Sequence, residues 1–276
     1  MRPNPHNPNT VRLTRTLRIA LPKEPAGAAN THNAYPRAIG FAPYYEFDAQ
    51  CTGQPDPQTG YLISIHEIDT AFRDHALPIL RSKLLNEHQD PSSVLPHLFR
   101  ATNDNLPVTL TSLTWRLTPN QSITMTTTAP TTPDPSSVIL TERFEFAAAH
   151  RLAVQGKSQD ENHALFGKCA NPNYHGHNYI LQTETATPTA LLTNASPALD
   201  IARAVNTHII ETLDHKNLNL DIPAFDQSTP DGVIPSVENI ARFCYESLAP
   251  HITQLGATLQ RVTVWETERT SATYPA

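Results

Sequence analysis

"LQRVTVWETERTSATY", residues 259–274, opens on a strand-like segment, breaks at a short connection and resumes in "SATY". Val262, Val264 and Glu266 share one face of the first segment, because successive side chains of a strand point to opposite sides. Two strands joined by a short turn are the expected result. Residues 110–125, "LTSLTWRLTPNQSITM", parallel this stretch without a gap. Two more pairs occur in the same order: "VRLTRTLRIA" from Val11 with "VILTERFEFA" from Val138, and "YYEFDAQCTG" from Tyr44 with "NYILQTETAT" from Asn178. Any one pair is a common accident of alternating strands. Three in one order point to an internal duplication.

The second copy is the easier to read. Val138, Leu140, Phe144 and Phe146 lie on one face of an alternating strand, and "HNYILQTET" continues as another. "SPALDIARAVNTHIIETL" is expected to be helical, with Ser196 as cap, Pro197 in the first turn, and Leu199, Ala202, Ile209 and Leu213 as its apolar stripe. A further helix follows Ser236, with Ile240, Phe243, Cys244 and Leu248 turned inward. Each half is thus two strands, two helices and two strands. The expected fold is α+β: two tandem repeats, each an antiparallel four-stranded sheet with two helices on one face. Residues 1–10 read as a loose tail, 11–125 as the first repeat, the Thr/Pro-rich stretch 126–137 as a stiff linker, and 138–276 as the second repeat.

Bulk composition narrows the function. The chain has 276 residues, 39% hydrophobic and 17% charged, enough for real cores, and 25 prolines against 9 glycines favour rigid loops. A formal net charge of −6 argues against general nucleic-acid or anionic-membrane binding. No apolar run approaches a membrane span, and "MRPNPHNPNT" does not read as a signal peptide. Cys51, Cys169 and Cys244 are odd in number and far apart, so no disulfide framework is expected and a cytoplasmic location is the default.

The chemistry concentrates in the second half. His175 and His177, two apart on a strand, point to the same side, and His150 ends the neighbouring strand after three small alanines. Together they would make the three-histidine set of a catalytic zinc site, although an isolated H-x-H is more often a pair of surface or otherwise satisfied histidines. Cys169 sits six residues before His175 in a loop. Near a divalent cation its thiolate would be favoured and could act as a base; the bland alternative is a small buried residue. Asp214 and His215 at a helix end are either an acid/base unit or a cap with its dipole partner. Glu266 ends an apolar row: either it is solvated where the strand surfaces, or it accepts two adjacent N–H groups of a flat heterocycle.

"FEFAAAHRL", "LFGKCANPNYHGHNY", "LDHKNLN", "IPSVENIARF" and "VTVWETERTSATY", in that order, resemble the 6-pyruvoyl-tetrahydropterin synthase family, covering Val138 to Tyr274. The resemblance implies the tunnelling fold (T-fold), in which subunits join their sheets into a barrel oligomer with active sites at subunit boundaries. It implies Zn²⁺ on His150, His175 and His177, Cys169 as the proton-abstracting thiolate, Asp214 with His215 as the second acid/base unit, and Glu266 and Glu238 as substrate-binding residues. The implied reaction converts 7,8-dihydroneopterin triphosphate to 6-pyruvoyl-tetrahydropterin with loss of triphosphate. The five residues between Cys169 and His175 look like the pyruvoyl-forming enzymes, whereas the 6-carboxy-tetrahydropterin synthases typically have fewer. A 6-carboxy-forming activity and a non-catalytic pterin-binding assembly protein are the competing readings. Lys157, Lys168 and Arg151 are the nearby cations for the leaving polyphosphate. Two departures from the family pattern stand out: Ala190 replaces a turn glycine, and the loop before the last helix is longer.

Aligned on the second copy, the first has lost this set. His150 falls opposite about Lys23, His175 opposite Phe41, His177 opposite Pro43, Asp214 and His215 near Leu84 and Leu85, and Glu266 opposite Leu117. A degenerate repeat kept as scaffold is the expectation.

Overall fold

The computed structural model describes residues 9–24, 32, 34–37, 40, 42–129, 132–133, 137–193 and 197–276. The chain divides into two compact units, one comprising Met1–Ile139 with Pro188–Ala195, the other Leu140–Thr187 with Ser196–Ala276.

In the first unit, strands β1 (Val11–Ala20), β2 (Tyr44–Gly53), β3 (Leu110–Thr118) and β4 (Gln121–Ala129) pair in that order, each antiparallel to the next. Between β2 and β3 come a helical run, 65–86, and a helix, Pro91–Asn103. The run starts at a reciprocal capping box in which Ser64 and Glu67 each satisfy the other's backbone N–H. Phe47 and Trp115 fill the sheet's buried face with ring centroids 4.9 Å apart, and Phe72 of the helical run lies 4.9 Å from Phe47. The opposite face is polar: Asp48 accepts from Thr16 and Arg116 across the strands. β4 extends into the stretch expected to be linker, because the β-branched run "TMTTT" favours an extended ladder. A two-residue strand, β5 (Thr132–Pro133), pairs with β4. Residues 130, 131 and 134–136 of the expected linker, and 1–8 of the expected tail, lie outside the described residues.

Strand β6 (Ser137–His150) and β7 (His175–Pro188) lead into the second unit, where a two-residue strand, β8 (Lys216–Asn217), precedes β9 (Thr258–Thr267) and β10 (Thr270–Tyr274). Its sheet order is β6-β7-β9-β10. Its two long helices are a run over 197–213 and Val237–Gln254, and a shorter one, Gln159–Phe166, precedes them. The expected cap Ser196 is outside the described residues. The apolar stripe of the first helix also differs from expectation: Ile201, Val205, Ile209 and Leu213 are buried, while Leu199 is 49% exposed. Four-residue steps overshoot an α-helical face by about 40° each. A wider π turn over Asn206–Ile210 absorbs that drift and keeps the stripe on one side.

The two sheets share ladder geometry in detail. Phe47 pairs with Trp115 and Trp115 with Ile123; at the aligned positions Leu181 pairs with Val264 and Val264 with Ala272. The register shift between Gln50 and Cys51 recurs between Glu184 and Thr185. The cross-strand hydroxyl pair Thr114–Thr124, at 2.9 Å, recurs as Thr263–Thr273, at 2.8 Å.

The corrected stripe gives a direct test. Ile209→Ala should destabilise the chain by about 2–5 kcal/mol, and Leu199→Ala by no more than about 0.5 kcal/mol, in urea denaturation.

Candidate metal centre

Alternation on β7 sends His175, His177 and Tyr179 to the helix-packed side, and β6 delivers His150 fully buried at its end. The three imidazoles converge, with ring centroids 4.5, 5.2 and 4.9 Å apart and one nitrogen of each within 4.8 Å of the others. His150 Nε2 is 3.0 Å from His175 Nε2. Ligands at about 2.1 Å around a tetrahedral ion are about 3.4 Å from one another, so this spacing suits a shared cation.

Tautomers sharpen the point. The Pro235 carbonyl, 2.8 Å from His150 Nδ1, can only accept, so Nδ1 carries the proton and Nε2 presents a lone pair. That lone pair faces His175 Nε2 and, at 3.2 Å, Glu266 Oε1. Glu266 Oε1 is also 3.7 Å from His177 Nε2, which is buried without a hydrogen-bond partner, as is His175 Nδ1. Nitrogen and oxygen atoms gathered this closely make a place for a cation among them. Burial depresses the pKa values of His175 and His177, keeping both imidazoles neutral and able to ligate. The donor set therefore fits a divalent ion, which His150, His175 and His177 could hold with Glu266 beside them.

Cys169 lies in the turn after the helix Gln159–Phe166. The Leu152 N–H donates to its carbonyl at 2.8 Å, and Arg151 and Gln159 both donate to the carbonyl of Ala170. The buried Asn162 ties down the preceding loop through Val154, Lys157 and Ser158. Cys169 shares a depression with Gln159, His163, Lys168, His175 and His177. Burial, then the charge of Glu266, pushes its thiol pKa up in the metal-free chain.

Asp214 and His215 bond each other, Oδ2 to Nδ1 at 2.7 Å. Asp214 Oδ1 accepts from the Ala147 N–H, the main reason its pKa is lowered, and the His215 N–H donates to the Ala147 carbonyl. β8 then pairs parallel with β6 at Ala148 and Ala149, so the small alanines admit this clamp. His215 has φ +57, an unusual backbone for a non-glycine residue, and its ring is exposed. This pair opens on a different depression, lined by Ala147, Gly176, His177, Asn178 and Lys216. Within one chain the imidazole cluster and Cys169 come together, and Asp214–His215 does not join Cys169. Glu238 sits exposed in the first turn of Val237–Gln254.

Residues 139–276 match the family described as 6-pyruvoyl tetrahydropterin synthase. The chain belongs to that family. The 6-pyruvoyl tetrahydrobiopterin synthase of Homo sapiens is 34% identical over 139 residues, 49% of this chain and 89% of that protein. The protein of the same name from Dictyostelium discoideum is 32% identical over 141 residues, 50% of this chain and 96% of its own. The solved structure of the Caenorhabditis elegans 6-pyruvoyl tetrahydropterin synthase is 28% identical, covers 50% of this chain and 94% of its own, and has a TM-score of 0.44. The expectation of an enzyme of this family, a lyase, stands. Among the described residues no helix is long and apolar enough to cross a membrane.

Sequence reading missed Tyr179 and the Pro235 carbonyl. Tyr179 is fully buried, stacks on Phe146 at 5.0 Å, and brings its hydroxyl 3.3 Å from His150 Nδ1. Its place in "HGHNY", on the same strand face as both histidines, was the available signal. Nothing in the sequence marks a backbone carbonyl 85 residues away as the partner of His150.

Thiol labelling separates the cysteines. Cys244 is completely buried and Cys51 has its pKa pushed up to about 11 by burial, so alkylation of the native chain should reach Cys169 first. Mass spectrometry of tryptic peptides after timed alkylation checks this. In the metal-free chain Glu266→Gln should lower the pH midpoint of Cys169 labelling, because a neighbouring negative charge is removed.

Proposed function

We propose that the second unit is a zinc-dependent lyase that converts 7,8-dihydroneopterin triphosphate to 6-pyruvoyl-tetrahydropterin with release of triphosphate. The convergence of three imidazoles beside a half-buried thiol carries this reading. A bound Zn²⁺ supplies Lewis acidity, making a carbon-bound proton next to the substrate's side-chain oxygens easier to remove. His150, His175 and His177 hold the ion. Cys169 takes the proton as thiolate while triphosphate departs with its bonding electrons. Internal proton shifts complete the product with no external redox cofactor, and the hydrogen-bonded Asp214–His215 unit carries a proton at its exposed ring. Glu266 anchors the N–H edge of the pterin, with Glu238 as a further substrate contact.

Of the three candidate cations, Lys168 is the best supported for the polyphosphate, since it lines the Cys169 depression. Arg151 is engaged with Gln159 and Ala170, and Lys157 pairs with Glu161 at 3.7 Å. Because Asp214–His215 opens on a separate depression, we take the complete site to form at a boundary between copies, in a cytoplasmic homo-oligomer with sheets joined in a barrel.

The first unit is, in this reading, a degenerate T-fold repeat retained as scaffold. Its matching ladder register supports common origin. Lys23, Pro43 and Leu117 stand where His150, His177 and Glu266 would be, while Phe41 lies outside the described residues. Among the described residues the three-histidine group is the metal-competent cluster found, and it is in the second unit.

Incubation with dihydroneopterin triphosphate and Zn²⁺ should release triphosphate and yield the pyruvoyl product, both followed by chromatography. Cys169→Ala should abolish turnover while the ion stays bound; a fully active variant refutes the assigned role. A product bearing a carboxylate would assign the chain to 6-carboxy formation instead, and pterin binding without turnover would make it a binding protein. Because burial lowers the pKa values of His175 and His177, acidification should release the ion only below the ordinary imidazole range of about 6.5, measured by metal content after dialysis.

A further inference from the structure

The segment 232–236 approaches His150 with little freedom. A Cβ added to Gly232 would lie 1.8 Å from the Asp226 carbonyl oxygen, so the loop is closed tightly on itself. The Val233 N–H donates to the Ala224 carbonyl at 3.0 Å. The Ile234 carbonyl then accepts twice, from the Ser236 N–H at 2.8 Å and from Asn239 Nδ2 at 2.8 Å. The first of these bonds closes a three-residue turn centred on Pro235, whose ring already limits φ. In the trans peptide that follows, the Pro235 carbonyl points opposite to the Ser236 N–H. Directing that N–H inward to Ile234 therefore directs the Pro235 oxygen outward, onto His150 Nδ1.

We propose that Asn239 is a positioning residue of the metal centre. Its amide fixes the Ile234 carbonyl, the turn sets the Pro235 oxygen, and that oxygen holds His150 as the Nδ1–H tautomer with Nε2 free to ligate. The side chain touches neither the ion nor the substrate. This inference rests on the reading that the imidazole cluster holds a metal, and it adds a residue two steps removed from the ligand.

The substitution Asn239→Asp makes an unusually clean test. Asn239 is the third residue after the cap Ser236, where a carboxylate favours the helix N-terminus. A purely structural side chain would thus tolerate Asp with an unchanged or raised melting temperature. Asp has no amide donor, however, and turns a second acceptor on the Ile234 carbonyl. Zn²⁺ affinity, measured by competition with a chromogenic chelator, should fall about 10- to 100-fold, the range for partners that orient a ligand. In the metal-free protein labelled with ¹⁵N-histidine, His150 should be the Nδ1–H tautomer in the wild type and a mixture in the variant. Asn239→Ala, which removes the donor without adding charge, should move both readouts in the same direction. Unchanged affinity and tautomer in both variants, whatever the melting temperature, would overturn the inference and leave the metal reading intact. Failure of the wild-type chain to bind Zn²⁺ would remove the metal reading and this inference with it.

Discussion

The second unit is organised around one electrostatic constraint: lone pairs crowded into a small buried space. His150 has committed its Nδ1 proton to Pro235, so its other nitrogen offers only electron density to His175 and Glu266. His177 Nε2 lies buried beside them with no hydrogen-bond partner. Groups desolvated and mutually repulsive in this way are tolerated when a cation joins them, and they then bind it tightly because they are already in place.

The sheet makes that crowding possible at low backbone cost. Two-residue periodicity on β7 supplies two imidazoles with no special loop, and Tyr179 continues the same face into the core. β6 brings the third through three alanines, and their small side chains let β8 pair alongside Ala148 and Ala149. The same clamp holds the partly buried Asp214 against the exposed ring of His215. The positive φ of His215 is a local strain of the sort that persists where surrounding contacts over-determine the backbone. Two chemically distinct groups are thus placed on two sides of His177 by one pair of strands.

What could be read from the sequence was whatever is periodic or motif-bearing. Strand alternation gave the element order, and the H-x-H pair with its preceding cysteine gave the cluster. An unbroken α-helical period puts Leu199 on the stripe of the run 197–213, but a π turn underwinds the chain and shifts the buried face to Ile201. Proline-rich surroundings make the threonines at 126–128 look like linker, yet Thr126 pairs with Ser112 and Thr127 with Pro133, and that pairing outweighs the company they keep. The Pro235 carbonyl was invisible for a deeper reason: its partner is a backbone atom, and every residue carries one. Separation of Asp214–His215 from Cys169 was equally hidden, since sequence order does not say which side of a strand a loop will reach.

The coincident ladders of the two sheets carry a consequence of their own. They give the molecule an internal reference, with one framework bearing a strained polar cluster and another bearing Leu117 at the position aligned with Glu266. In most proteins the energetic burden of an active centre can be gauged only against engineered or distant counterparts. Here the comparison is covalently joined: solvent, ionic strength and temperature act on both frameworks at once, so any difference in their local opening reports on side chains and loops rather than on strand architecture.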